Sequence, residues 1–217
     1  MKWFNSKWPL FILSAGFLLL QSGCQGRKTP ALFEQLSSST TNIKFENTLP
    51  EREMLNILYY LYFYNGGGVS TGDINNDGLV DIYFTANSKG NNKLYLNKGD
   101  FKFEDITASA GVAGTADWCS GVTMADVNAD GYLDIYVAAS SGHHGLTGRH
   151  QLFINNKNNS FTEKAVEYGL DFSGFGTQAA FFDYDRDGDL DCYLLNHSQK
   201  PNSNIQDTIF RHTPDSL

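Results

Sequence analysis

Residues 73–81 have the sequence Asp-Ile-Asn-Asn-Asp-Gly-Leu-Val-Asp, and the same pattern returns twice along the chain. The second copy, Asp-Val-Asn-Ala-Asp-Gly-Tyr-Leu-Asp, begins 53 residues later at Asp126. The third copy, Asp-Tyr-Asp-Arg-Asp-Gly-Asp-Leu-Asp, begins 57 residues after that at Asp183. We call residues 73–81, 126–134 and 183–191 loops 1, 2 and 3. Strand-rich repeats of this length are typical of solenoids and propellers.

Segments with strand character flank each loop. In the first repeat, residues 67–72 enter loop 1, residues 79–86 leave it, and alternating segments follow at 93–97 and 102–106. The connections are rich in Gly and Asn, as tight hairpin turns require. Four short strands per repeat is the number found in a propeller blade. We therefore predict an all-β protein, a β-propeller of four-stranded antiparallel blades.

Three blade-length repeats fill residues 40–217, at about 64–112, 118–170 and 175–217. In the third repeat a polar tail follows Leu195, and we expect no clear third or fourth strand there. Three blades cannot close a ring, and an open ring exposes blade edges. We therefore expect an incomplete ring and an amino-terminal fragment of a longer protein. A chain that pairs with its own copies or with a neighbouring polypeptide is the alternative.

The composition is that of a folded acidic protein. Of 217 residues, 41% are hydrophobic and 14% aromatic, and 24 Asp+Glu against 16 Lys+Arg give a net charge of −8. This balance argues against nucleic-acid binding, which requires a basic surface. Most of the acids are Asp, which favours turns and metal loops, whereas Glu favours helices. A mainly helical protein is therefore excluded.

Residues 1–23 have the features of a secretory signal peptide. Two lysines precede an apolar segment, residues 10–20, which is too short to span a bilayer as a helix. Small residues then precede Cys24, as in the bacterial lipoprotein motif, although Gln21 stands where an aliphatic residue is usual. We predict lipidation of Cys24, a tether over residues 24–39 and anchoring at the outer membrane or cell surface. An ordinary cleaved signal is the alternative.

The loops have the donor pattern of a calcium site. Ca²⁺ takes six to eight oxygen ligands, whereas Mg²⁺ uses fewer protein ligands and more water. Positions 1, 3, 5 and 9 supply Asp or Asn oxygens, Gly at position 6 allows a sharp reversal, and position 7 offers its backbone carbonyl. The predicted ligands of about three Ca²⁺ ions are Asp73, Asn75, Asp77, Leu79 and Asp81 in loop 1, Asp126, Asn128, Asp130, Tyr132 and Asp134 in loop 2, and Asp183, Asp185, Asp187, Asp189 and Asp191 in loop 3.

The charge of the loops supports this prediction. Several carboxylates within one loop repel one another without a counter-ion. Three bound Ca²⁺ ions would bring the net charge from −8 to −2. A single copy is also compatible with a tight turn stabilised by Asx hydrogen bonds, but three copies with every oxygen position kept favour the metal.

The Gly66-Gly67-Gly68-Val69 segment before loop 1, and the Gly-Val step before loop 2, resemble the FG-GAP and VCBS repeat families. Those families form calcium-loaded β-propellers of the integrin-α type. The combined order of the segments at 64–68, 92–97 and 103–107 resembles the cartilage-acidic-protein-like group of secreted lipoproteins. The resemblance covers residues 40–197. It implies about seven blades, with the metal loops between the first and second strands of a blade.

The remaining cysteines and three aligned tyrosines are predicted to be structural. Cys192 occupies the position held by Ile in the other repeats, which favours a buried small hydrophobe over a disulfide with Cys119. Tyr83, Tyr136 and Tyr193 align with one another, which favours packing between blades over a ligand platform.

A five-residue insertion near residues 141–148 is expected to form a surface loop. For His143, His144 and His150, in or beside it, solvated positions are favoured over a transition-metal site, because no Cys or Glu lies nearby. Trp118 has no counterpart in the other repeats and fits either the core or a sugar-stacking surface.

The sequence favours a binding function over catalysis. It contains no nucleophile elbow, phosphate loop, paired-His motif or carboxylate pair distinct from the predicted calcium ligands. The leading hypothesis is a calcium-stabilised extracytoplasmic module that binds an extracellular protein or glycan through its inter-strand loops. The alternatives are the propeller part of a glycan-degrading enzyme and a structural subunit of an outer-membrane assembly.

Overall fold

The structure is a computed structural model that describes residues 31–49, 53, 55–60, 62–142, 145–197 and 208–210. The chain divides into two compact units, residues 1–36 and 37–217. The predicted signal peptide and Cys24 lie outside the described residues. Within the described part of the chain, no helix combines the length and the apolar character needed to cross a membrane.

The second unit is built from short strands. Its described elements, in chain order, are α1 (Ser38–Thr41), β1 (Val69–Gly72), β2 (Asp81–Phe84), β3 (Lys93–Asn97), β4 (Phe103–Asp105), α2 (Thr107–Ala110), β5 (Cys119–Ala125), β6 (Asp134–Ala139), β7 (Gln151–Asn155), β8 (Phe161–Glu163), β9 (Gly176–Phe182), β10 (Asp191–Asn196) and β11 (Thr208–Phe210). The prediction of an all-β protein is confirmed.

The strands form three antiparallel sheets, one per repeat. The first two have the orders β1-β2-β3-β4 and β5-β6-β7-β8, and the third has the order β11-β10-β9. We call them blades 1, 2 and 3. The strand pairs next to the loops have equivalent registers, since Gly72 faces Asp81 in blade 1 and Ala125 faces Asp134 in blade 2. The four-stranded antiparallel blades expected for a propeller are thus present in the first two repeats.

The third strand of blade 3 corrects the expectation that none would form after Leu195. Strand β11 pairs with β10, with Cys192 opposite Phe210 and Leu194 opposite Thr208. A strand of three residues is too short to show a readable alternation in a polar segment. Its pairing is determined by the β10 edge rather than by its own sequence.

The blades pack face to face through apolar clusters. One cluster joins Tyr83 and Leu94 of blade 1 to Ile135 and Phe153 of blade 2. A second joins Tyr136 and Leu152 of blade 2 to Ala179 and Leu194 of blade 3. Both tyrosines are fully buried, so their predicted role between blades is confirmed, whereas Tyr193 is half-buried. Such side chains supply much of the apolar area that holds adjacent blades together.

Both cysteines of the repeats are free and buried. Cys119 belongs to the first inter-blade cluster and Cys192 to the second. This confirms that Cys192 acts as a small core residue and that the pair forms no disulfide.

Glycine allows the first strands of adjacent blades to approach closely. A Cβ on Gly68 would lie 2.7 Å from the carbonyl oxygen of Ser120, and a Cβ on Gly121 would collide with the carbonyl of Thr177. The Gly-Val step before the loops therefore has a packing role. It lets β5 lie directly against both β1 and β9.

A third apolar cluster contains Leu55, Phe63, Trp118 and Leu146. Trp118 is 2% exposed, so it belongs to the core and offers no open stacking surface. The inserted segment is partly buried, because Leu146 packs into this cluster while Gly142 and Gly145 are exposed.

Candidate metal centres

Each of the three loops connects the first strand of its blade to the second. Loop 1 follows β1, loop 2 follows β5 and loop 3 follows β9. Because these strands occupy equivalent places, the loops lie at the same end of their blades. The predicted position of the loops within a blade is confirmed.

The carboxylate at position 1 folds each loop around itself. In loop 1, Asp73 Oδ1 accepts the backbone N–H of Asp77 at 3.2 Å, and Oδ2 accepts that of Gly78 at 2.8 Å. The corresponding distances are 2.9 and 2.8 Å at Asp126 and 3.2 and 3.2 Å at Asp183. The same local fold is therefore built three times.

Positions 3 and 5 bring further oxygens into the loop interior. In loop 2, Asn128 Oδ1 accepts the N–H of Asp130 at 3.1 Å, and Asp130 Oδ1 accepts the N–H of Tyr132 at 3.0 Å. The Asn128 side chain donates to Asp130 Oδ2 at 3.1 Å. The oxygens of positions 1, 3 and 5 thus lie around one short stretch of backbone, the N–H groups of Asp130 and Tyr132.

The backbone turns at two left-handed positions in each loop. Position 6 has φ of 86° at Gly78, 86° at Gly131 and 98° at Gly188, as predicted from glycine's freedom. Position 4 is also left-handed, although Ala129 and Arg186 occupy it in loops 2 and 3. The sequence pattern carried no sign of this second reversal, because position 4 has a different residue type in each copy.

Position 9 differs from the other candidate ligands because it is buried. Asp81, Asp134 and Asp191 are at most 1% exposed. Asp81 Oδ2 accepts the N–H of Ile74 at 3.0 Å, and Oδ1 accepts that of Asn97 at 2.7 Å. Each carboxylate oxygen keeps lone-pair capacity for a metal. In loops 1 and 2 the position-9 Asp therefore joins the loop to the third strand of its blade and remains a candidate ligand.

Burial changes the proton affinity of Asp81 and Asp134. It raises the pKa of Asp134 to about 6. The nearby carboxylates of Asp130 and Asp126 contribute to this increase, whereas hydrogen bonds from two backbone N–H groups oppose it. Burial also raises the pKa of Asp81. A carboxylate in such surroundings is stabilised in its charged form by a nearby cation.

Loop 3 has the densest group of carboxylates. Asp183, Asp185 and Asp187 each offer an oxygen, these oxygens lie within 4.8 Å of one another, and all three residues are exposed. In loops 1 and 2, Asn at position 3 replaces one of the carboxylates. All the side-chain donors are oxygens, so the residues present fit Ca²⁺ better than a metal that prefers nitrogen or sulfur. The carbonyls of Leu79, Tyr132 and Asp189 at position 7 stay a prediction.

Loops 1 and 2 contact each other and the neighbouring parts of blade 2. Asn76 donates to the carbonyl of Gly131 at 2.9 Å, and Asn155 donates to the carbonyl of Ile74 at 2.8 Å, so loop 1 is tied directly to blade 2. Lys157 Nζ lies 3.4 Å from Asp130 Oδ2. The alignment of Asn97 with Asn155 could have indicated the asparagines, but nothing in the sequence indicated the lysine.

His150 corrects the expectation of a solvated histidine. It is 1% exposed, with Nδ1 2.8 Å from the Tyr136 hydroxyl and Nε2 3.1 Å from the carbonyl oxygen of Ala139. Burial lowers its pKa to about 4. Both ring nitrogens have protein partners, because the fold turns the residue inward at the start of β7. His143 and His144 lie outside the described residues.

We call β1, β5 and β9, the first strands of the three blades, the inner strands. A cavity of about 310 Å³ lies at the end of these strands that is opposite to the loops. Trp118 directly precedes β5, Ser120 lies in β5 and Thr177 lies in β9, so residues of different blades line it. Tyr60 and Tyr62 contribute aromatic rings from the segment that precedes β1. The cavity is therefore separated from the loops by the length of the strands.

Sequence comparison matches this chain to one repeat family. The FG-GAP-like repeat family model matches residues 73–137, which contain loops 1 and 2 and the strands between them. The matched segment thus extends from loop 1, through the remaining strands of blade 1, to loop 2 of the next blade. An FG-GAP-like repeat and an all-β, propeller-like architecture therefore occur together.

The chain is also similar to cartilage acidic protein 1 from three vertebrates. It is 35% identical to the Xenopus tropicalis protein over 137 residues, which is 61% of this chain and 20% of that protein. It is 44% identical to the Homo sapiens protein over 84 residues, covering 38% and 13%. It is 42% identical to the Mus musculus protein over 81 residues, covering 37% and 12%. The chain thus matches a fifth or less of the length of these relatives.

Proposed function

We propose that this protein is a calcium-stabilised binding module, anchored through Cys24 on the extracytoplasmic side of a bacterial membrane, that recognises a protein or glycan. The observation that carries the proposal is the threefold recurrence of one loop. Each copy has the same place in its blade, and in each the position-1 carboxylate accepts the same backbone hydrogen bond. The FG-GAP-like match supports a binding rather than a catalytic function.

Positions 1, 3, 5, 7 and 9 of each loop are the proposed calcium ligands. Bound Ca²⁺ would supply positive charge among carboxylates that otherwise repel one another. The position-9 Asp joins this site to the blade, since Asp134 also accepts the N–H of Asn155 at 2.8 Å. Ligand binding that requires the folded loop stabilises the folded state by mass action. Calcium therefore acts on the stability of the blades and needs no contact with the partner.

The cavity at the other end of the inner strands is the proposed place for the partner. Its polar groups include Asn65, Ser120 and Thr177, and its most accessible ring is Tyr62, which is 43% exposed. Its volume lies at the lower end of the range for small-ligand sites. Aromatic rings combined with hydroxyl and amide groups suit an uncharged sugar residue or a short peptide segment.

The calcium part of the proposal is tested by thermal unfolding of the chain in about 10 mM Ca²⁺ and in chelator. For extracellular modules with Kd of about 10⁻⁴–10⁻³ M, each site would add about 1.4–2.7 kcal/mol. A melting temperature that is the same in both conditions would contradict the proposal.

The binding part is tested on an array of uncharged glycans with Tyr62→Ala and Tyr64→Ala. Tyr64 is 70% exposed and lies outside the cavity, so its variant is the matched control. Loss of a glycan signal in Tyr62→Ala alone would support the cavity as the binding site. Equal signals from both variants would place the ligand elsewhere.

A further inference from the structure

Lys157 contacts two residues of loop 2 from a different part of blade 2. It lies in the hairpin between β7 and β8. Its Nζ is 3.4 Å from Asp130 Oδ2 and 5.3 Å from the centroid of the Tyr132 ring. Asp130 and Tyr132 are positions 5 and 7 of the loop, and both are proposed calcium ligands. The ammonium group is therefore placed beside an oxygen that the metal would use.

The backbone fixes this placement. Lys157 is left-handed, with φ of 64°, and its N–H donates to Asn155 Oδ1 at 2.8 Å. Asn155 in turn donates its N–H to Asp134, the position-9 residue of loop 2, at 2.8 Å. The backbone of Lys157 is thus connected to loop 2 through two consecutive hydrogen bonds.

Blade 1 has the same hairpin anchor without the lysine side chain. Gly99 donates its N–H to Asn97 Oδ1 at 2.9 Å and has φ of 83°, which makes it the structural counterpart of Lys157. Lys98, the residue before Gly99, pairs instead with Glu104 at 3.8 Å. Loops 1 and 2 therefore have the same ligand types but a different charge beside position 5.

We propose that Lys157 is a built-in counter-cation of loop 2, which a divalent metal must displace from Asp130 before it binds. The inference rests on the proposed function, in which the loops bind Ca²⁺. In the absence of metal, the ammonium group neutralises part of the carboxylate charge and keeps loop 2 folded. Loop 2 then binds Ca²⁺ more weakly than loop 1, and the two sites fill in sequence as calcium rises.

The size of the effect is limited by solvent. The Lys157 side chain is 48% exposed and that of Asp130 is 22% exposed. Solvent screening therefore weakens both the attraction between these two groups and the repulsion between the ammonium group and a metal ion. Removal of the ammonium group is therefore expected to tighten binding at loop 2 by roughly two- to fivefold. The effect should shrink as salt is added.

Tyr132 provides a readout specific to loop 2. Excitation of a tyrosine sensitises the luminescence of a Tb³⁺ ion bound within a few ångströms, and Tb³⁺ takes the same oxygen ligands as Ca²⁺. Loop 1 has no aromatic residue in its nine positions, whereas loop 3 has Tyr184. Because Asn76 of loop 1 contacts Gly131 beside Tyr132, the parent protein of the titration is the full chain with Asp77→Ala and Asp187→Ala. These changes remove a proposed ligand from each of loops 1 and 3, so this protein reports loop 2.

The experiment titrates this protein with Tb³⁺, and then displaces the ion with Ca²⁺, for the parent and three further variants. Lys157→Gln should bind both ions roughly two- to fivefold more tightly. Lys157→Arg keeps the charge and should bind like the parent. Lys98→Gln removes a lysine that pairs away from the loop and is the matched control.

Equal affinities in Lys157→Gln and the parent, with luminescence present in both, would overturn the role of Lys157 and leave the calcium sites intact. Absence of luminescence in all four proteins, together with no calcium-dependent melting of the unsubstituted chain, would overturn the proposed calcium function, and this inference with it. A melting curve recorded for each variant shows that it is folded.

Discussion

The carboxylate of Asp134 accepts the backbone N–H of Asn155 at 2.8 Å while its other oxygen accepts that of Val127 at 3.0 Å. One buried side chain thus holds the start of loop 2 and the end of β7 together. Asp81 makes the same two bonds in blade 1. The last residue of each of these loops therefore has a structural role whether or not a metal is bound.

The double role of position 9 leads to the first prediction. Asp134→Ala should destabilise the chain even in chelator, by about 2–3 kcal/mol, because it leaves two backbone donors without their acceptor. Denaturant unfolding in the presence of chelator measures this change. Asp130→Ala is the comparison. Because Asp130 is partly exposed, its replacement should reduce the free energy of unfolding much less under the same conditions. Equal losses in both variants would contradict the distinction.

The rise in melting temperature caused by calcium should depend on the Asp at position 5 of each loop. Asp77→Ala, Asp130→Ala and Asp187→Ala each remove a proposed ligand from one loop. Each should reduce the calcium-dependent rise in melting temperature by the share of one site, which is about 3–10 °C for a chain of this size. A calcium-dependent rise that survives unchanged in all three variants would show that the metal acts elsewhere.

The close approach of β5 and β9 predicts the effect of a single methyl group. Gly121→Ala should destabilise the chain by about 1–3 kcal/mol, because its Cβ would collide with the carbonyl of Thr177 and force the strands apart. Denaturant unfolding in calcium measures the difference. At a strain-free position the same change stabilises a protein slightly, so a gain in stability would contradict the packing.

His150 should make the stability of the chain depend on pH. Its folded pKa of about 4 lies below the unfolded value of 6.5, so the unfolded state takes up a proton first as the pH falls. Neutral His150 makes its full contribution to the free energy of unfolding above pH 6.5. About 3 kcal/mol of this contribution is lost as the pH falls from 6.5 to 4. Unfolding of the wild type and His150→Gln over this range measures the difference, since the carboxylates titrate in both.

A wild type whose stability falls no more steeply than that of His150→Gln would contradict the buried neutral histidine. The measurement belongs in chelator throughout, because calcium binding to carboxylates also weakens as the pH falls.

The proposed lipidation of Cys24 predicts a covalent label. Cells that express the chain and are fed an alkynyl fatty acid should yield labelled protein in the membrane fraction. Cys24→Ser should lose both the label and the membrane association, while Cys119→Ser, at a buried core position, should keep both. A labelled Cys24→Ser protein would contradict the assignment.

The repeat in the sequence was sufficient for the fold class. Three copies of a nine-residue pattern predicted the loops, and the alternating segments predicted β3 with its observed bounds, Lys93–Asn97. Tyr83 and Tyr136 were recognised as packing residues from their alignment alone. These features are local or periodic, so each copy of the repeat supports the others. Strand β11 was missed because it is short and takes its register from β10.

The sequence by itself therefore determined the oxygen donors, the left-handed glycine and the order of loop and strand, because these depend on residues within nine positions of one another. Tertiary structure alone decided that Asp134 is buried against Asn155, that Asn76 reaches Gly131 and that Lys157 lies beside Asp130. Those contacts join residues 21, 55 and 27 positions apart. Hairpin geometry and blade packing bring them together, and neither is visible in the spacing of residue types along the chain.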